Sequence, residues 1–152
     1  MAKTEFLREY KGEPKDVLKT ALGTFKLNRN YMFYEGEISY LGKTASVSLD
    51  LSDDGTADTA LRRLENLCLD LSCFDAQIRE IAADELYGYV PDWYDDEISR
   101  EEFKDALGVP FISVSSDGSI DAMLDGGEIF CDHGVLVWLD PEGRPLGADL
   151  VG

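Results

Sequence analysis

Ala45-Ser46-Val47-Ser48-Leu49-Asp50-Leu51 is the stretch that decides the fold. Apolar residues stand at 45, 47, 49 and 51, and polar ones between them. A period of two over seven residues marks a half-buried strand with one face toward a core and one toward water. Upstream, Phe33-Tyr34-Glu35-Gly36-Glu37-Ile38-Ser39-Tyr40-Leu41 is aromatic and β-prone, and Gly42-Lys43 joins the two runs as a tight turn. Gly36 inside that strand signals a bulge or a close backbone approach. Thr24 to Leu27 alternates as well, and Asn28-Arg29-Asn30 is a turn, so residues 24–51 read as an antiparallel meander.

The period then changes. Leu61, Leu64, Cys68 and Leu71 recur at helical spacing, with Asp58 as the N-cap. Phe74, Ile78, Ile81, Ala82 and Leu86 share one face of a second helix over about 73–88, which Ser72 is expected to cap. Ser99 with Glu102 forms a capping box for a short third helix, closed by Gly108. Beyond it, Phe111 to Ser115, Ile120 to Leu124 and Val135 to Leu139 are strands separated by Asp-Gly and Gly-Gly turns. Ile129 and Phe130 are expected to begin the strand before Val135, and Trp138 to lie in the core. Strands, helices, strands is an α+β order. The expected fold is mainly antiparallel sheet, from two meanders (24–51 and 109–151) flanking a central helical segment (58–107). Residues 1–22 look weakly helical and basic, and 1–152 reads as a single domain. Periodicity does not distinguish one sheet from two.

Composition bounds the function. The chain carries 31 Asp and Glu against 14 Lys and Arg, a net charge of −17 in 152 residues. Such a surface repels phosphate backbones and anionic membranes, so no nucleic acid and no membrane partner is expected. Residues 1–29 hold seven basic and four acidic side chains, whereas 70–105 hold three and twelve. The densest acidic region is therefore the helical middle. The first residues lack the apolar run of a signal peptide, and a cytoplasmic location is expected. Cys68, Cys73 and Cys131 are three, without a CxxC pair, and read as reduced thiols.

No P-loop, dinucleotide fingerprint or G-x-S-x-G elbow is present. The acid-rich loop Asp50 to Asp58 lacks the D-x-D-x-D-G spacing of a calcium hand and reads as turn and cap. No cofactor and no metal is expected. Two constellations remain. Asp92, Trp93, Tyr94, Asp95, Asp96 and Glu97 combine aromatic anchors with carboxylates on a connector between helices, which suits Lys and Arg of a basic protein partner. Cys131 and His133, placed in a strand, would point to one face and could begin a thiolate–imidazole pair. The leading expectation is a small acidic interaction protein, of the immunity or antitoxin type that inhibits a basic bacterial toxin. The alternatives are an enzyme or metal-binding domain centred on Cys131 and His133, and a structural or scaffold subunit, for which a homo-oligomer is possible.

Several runs carry a family likeness: Leu22 to Leu27, Tyr34 to Ile38, Val47 to Asp50, Phe74 to Arg79, Ala82 to Leu86, Asp125 to Phe130, His133, and Ala148 to Gly152. In this order the chain resembles domain-of-unknown-function family 2262, over roughly residues 20–152. The resemblance implies a small cytoplasmic bacterial domain and supplies no activity and no catalytic residues.

Overall fold

The computed structural model describes residues 12–152. Eight strands make one sheet in chain order: β1 (Val17–Thr20), β2 (Gly23–Asn28), β3 (Phe33–Tyr40), β4 (Lys43–Asp50), β5 (Phe111–Val114), β6 (Ile120–Asp125), β7 (Gly134–Leu139) and β8 (Pro145–Val151). Every neighbouring pair is antiparallel except β4 and β5, which run parallel, with Val47 beside Ile112 and Leu49 beside Val114. A parallel pair requires a long crossover. Here it is the helical segment: α1 (Asp58–Cys68), α2 (Leu71–Leu86), a 3₁₀ turn (Tyr87–Tyr89), the single turn α3 (Val90–Trp93) and α4 (Arg100–Ala106). The α+β expectation with a mainly antiparallel sheet therefore stands.

The register explains the layering. Tyr34 lies opposite Leu49, Gly36 opposite Val47 and Ile38 opposite Ala45, and the side chains of Tyr34, Ile38, Ala45, Val47 and Leu49 are buried on one face of the sheet. Ile112, Val114, Ile120, Ala122, Leu124, Val135, Val137 and Leu139 continue the same buried face. Phe74, Ile78, Ile81, Ala82 and Leu86 of α2 close over it, as their spacing requires. Gly36 is a close approach, not a bulge. A Cβ there would stand 2.6 Å from Phe25 Cδ1 and 2.8 Å from the Thr24 carbonyl oxygen.

Four local expectations are corrected. Val17–Thr20, within the stretch read as weakly helical, is an edge strand paired with β2, while 1–11 lies outside the described residues. Its residues alternate between exposed and half-buried, a strand pattern hidden by the preceding Gly and Pro. The second helix begins at Leu71 and is capped by Asp70, whose carboxylate accepts from the Cys73 N–H at 3.0 Å. Asp58 is the first residue of α1, whose N-cap is Ala57 and makes no side-chain bond. Trp138 is half-buried on the face away from the helices, because Val137 and Leu139 occupy the core positions on either side of it. The Ser99–Glu102 capping box forms as expected, with both reciprocal bonds present.

One polar network joins α2, the sheet and the return from the helices. Arg79 Nε donates to Asp75 Oδ2 at 2.9 Å, and Asp75 Oδ1 accepts from the Tyr40 hydroxyl at 2.6 Å. The Arg79 guanidinium also donates to three carbonyls, those of Lys104 (2.7 Å), Leu107 (2.6 Å) and Gly108 (3.1 Å). These lie where α4 ends and the chain turns toward β5, so the arginine caps that helix from a distance. Burial first, and then the bond to Asp75, push the Tyr40 phenol far above its ordinary range.

Replacing Arg79 by Met, which keeps the stem but not the fork, is expected to lower stability by about 3 kcal/mol, since Asp75 and three carbonyls lose their partner. Denaturant midpoints check this; an unchanged midpoint would refute the role. Gly36→Ala is expected to cost about 2 kcal/mol through overpacking against Phe25 and the Thr24 carbonyl, measured the same way. An unfolded tyrosine ionises near pH ~10. Because the folded pKa of Tyr40 is raised, its contribution is present below that pH and is lost as pH rises past it. Tyr40→Phe should therefore flatten the alkaline decline in stability, followed as melting temperature against pH.

Candidate functional site

The connector between α2 and α4 is held at both ends and open between them. Val90 is buried and anchors α3, and Pro91 fits its first turn, where an absent N–H costs nothing. Tyr94 then leaves the helix in an extended conformation, and the chain runs to the capping box at Ser99. The Tyr87 hydroxyl donates to the Ile98 carbonyl at 2.7 Å, and its ring packs on Phe103 at 5.8 Å. The result is an open groove of about 630 Å³ lined by Tyr87, Gly88, Val90, Pro91, Tyr94, Asp95, Asp96, Glu97 and Ile98. A smaller cleft of about 360 Å³ shares Tyr94 and Ile98 with it and adds Glu102, Ala106, Gly126, Glu128 and Ile129.

Four of the six binding candidates read from sequence, Tyr94, Asp95, Asp96 and Glu97, line the groove. Asp92 and Trp93 stand outside its lining. Trp93 is 37% exposed, and its ring meets Phe130 edge-on at 6.0 Å and His133 at 5.1 Å. Phe130 in turn meets Phe103 at 5.9 Å. An aromatic series therefore runs Tyr87, Phe103, Phe130, Trp93, His133, and it joins the two constellations that the sequence presents separately.

The acids of this region fall into two groups. Glu80, Asp84 and Glu101 are engaged by Arg100 and Lys104, with contacts of 2.5 to 2.9 Å. Hydrogen bonds from Lys104 and Arg100 hold the Glu80 carboxyl below its usual range. The bonds of the capping box do the same for Glu102. By contrast, no hydrogen bond or ion pair reaches the carboxylates of Asp92, Asp95, Asp96 and Glu97 among the described residues. All four residues are exposed, and no basic side chain lines either cleft. Their field is uncompensated locally and available to a cation.

Cys131 and His133 are arranged differently from the expectation. Residues 126–133 are not strand but a reversing turn, with Cys131 at φ 53° and Asp132 at φ 67°, and β7 begins only at Gly134. The left-handed pair breaks the alternation on which a shared face depended. Ile129 and Phe130 are buried within this turn. His133 Nδ1 lies 2.9 Å from the Phe130 carbonyl oxygen, and Cys131 is exposed. No hydrogen bond joins Cys131 to His133 among the described residues, and no group of three His, Cys, Asp or Glu residues is placed there to hold a metal.

Sequence reasoning missed Tyr87, Ile98, Ala106, Glu128 and Ile129. Tyr87 and Ile98 flank the acidic run, and their apolar character beside Gly88 and Ser99 was a usable signal. Glu128 and Ile129 arrive from the β6–β7 turn, and no local pattern points to them. Asp75, Gln77 and Arg79, which look like functional polar residues, serve the fold: Gln77 Nε2 donates to the Gly143 carbonyl at 2.8 Å.

No helix among the described residues is long and apolar enough to cross a membrane. No curated protein and no solved structure matched the chain. The model of a family described as an uncharacterized protein conserved in bacteria matches residues 19–150, from β1 through β8 and including both clefts. The chain belongs to this family, DUF2262.

Proposed function

We propose that this protein is an acidic interaction domain whose groove between Tyr87 and Ile98 receives a basic segment of a partner protein. The observation that carries the reading is the contrast among carboxylates: Asp95, Asp96 and Glu97 line a cavity unpaired, while Glu80, Asp84 and Glu101 nearby are neutralised. Exposed pairs contribute about 0–1 kcal/mol each, so the charges alone do not make a tight complex. They raise the encounter rate and disfavour anionic partners, while Tyr94 and Ile98 offer apolar area for residence. Within this reading the partner is a cationic bacterial protein, and the finer proposal is an inhibitor of the immunity or antitoxin kind acting on a basic toxin in the cytoplasm.

The test compares three baits in affinity capture from host lysate: the native protein, an Asp95→Asn, Asp96→Asn, Glu97→Gln variant, and a Glu13→Gln, Glu37→Gln, Glu65→Gln control with the same change of net charge. The native and control baits are expected to retain a basic protein that the groove variant loses, with its association slowed about tenfold at low salt. Equal capture by all three would show that the groove is not the contact.

A further inference from the structure

The two clefts share a divider, and this constrains what can fill them. Tyr94 and Ile98, both half-buried, belong to the wall of each. On the groove side the divider is flanked by Asp95, Asp96 and Glu97. On the other side are Ala106, the last residue of α4, and Ile129, 4% exposed, with Glu102 and Glu128 beside them. The lining therefore holds five carboxylates, no basic group, and an apolar recess. A purely ionic partner would leave the Ile129 recess wet. A purely apolar one would have to desolvate the acids without compensation. Arg100 and Lys104 lie close in sequence, but their charges are already spent on Glu80, Asp84 and Glu101.

We infer that the groove's occupant is an extended cationic peptide segment that also carries one aliphatic side chain, which crosses Tyr94 and Ile98 to seat against Ala106 and Ile129. This rests on the groove reading above and adds to it a second recognition element. The basic side chains supply attraction, and the aliphatic residue discriminates among basic segments, which charge alone does poorly. Burial of one branched aliphatic side chain there is expected to change affinity about tenfold.

Fluorescein-labelled peptides test this by anisotropy against the full chain. Each has three arginines, a two-glycine spacer and a terminal leucine, made in both chain orders, with a serine counterpart of each. The better-ordered leucine peptide is expected to bind about tenfold more tightly than its serine counterpart. Ala106→Trp, at an exposed helix end, should fill the recess and erase that difference. Leucine and serine peptides binding native protein alike would overturn the inference, as would a leucine advantage that survives Ala106→Trp, or spermine displacing the peptides as a matched competitor. Failure of all peptides to bind would instead sink the parent reading of the groove, and the inference with it.

Discussion

Arg79 is the constraint on which the arrangement depends. A sheet that continues from β4 to a parallel β5 must send the chain across one face and bring it back at a defined height. The return passes through Leu107 and Gly108, just after a two-turn helix whose last carbonyls have no partner within the helix. Arg79 supplies them with donors from α2, while Asp75 fixes the guanidinium and is itself bonded by Tyr40 of β3. One side chain thus relates the long helix, the first half of the sheet and the entry to the second half. A lysine would keep the charge but not the planar set of donors that reaches three carbonyls and a carboxylate together.

That lock also positions the groove. With α2 held on the sheet and α4 held at its C-terminus, the connector from Tyr87 to Ser99 spans two fixed points. Val90 turns inward fully and Tyr87, Tyr94 and Ile98 in part, while Tyr89, Trp93 and the acids are left outward. The aromatic series from Tyr87 through Phe103 and Phe130 to Trp93 braces this connector against the β6–β7 turn. The turn's left-handed residues, Cys131 and Asp132, place Phe130 under Trp93 and leave Glu128 and Ile129 at the second cleft. The region's polarity follows from this: paired acids lie where Arg100 and Lys104 can reach, and unpaired acids lie beyond them.

Much of the fold was legible in local pattern. The alternation of 45–51, the helical spacing of Phe74, Ile78, Ile81 and Leu86, and the Ser99–Glu102 box are each read from neighbours a few residues apart, and each formed. Of the acidic and aromatic residues 92–97, Tyr94 to Glu97 line the groove and Asp92 and Trp93 stand outside it. The failures share a cause. The apolar run around Trp138 points it to the core, but strand phase places Val137 and Leu139 inward and so turns it out. A strand would put Cys131 and His133 on one face, but the left-handed Cys131 and Asp132 make a turn, a backbone choice with no signature in those side chains.

The amino-acid sequence by itself determined the class of fold, the elements with strong periodicity, the Ser99–Glu102 capping box and the net charge of −17. These depend on short-range geometry or on summed composition, which need no knowledge of what packs on what. Only the tertiary structure decided that the strands form one sheet with a parallel step, and that Asp75 and Arg79 lock it. It also decided which carboxylates are spent on Arg100 and Lys104 and which remain free. Those outcomes rest on contacts such as Tyr40 with Asp75, Arg79 with the Leu107 carbonyl and Arg100 with Glu80, between residues far apart in the chain, and they exist only once burial has fixed the distances between them.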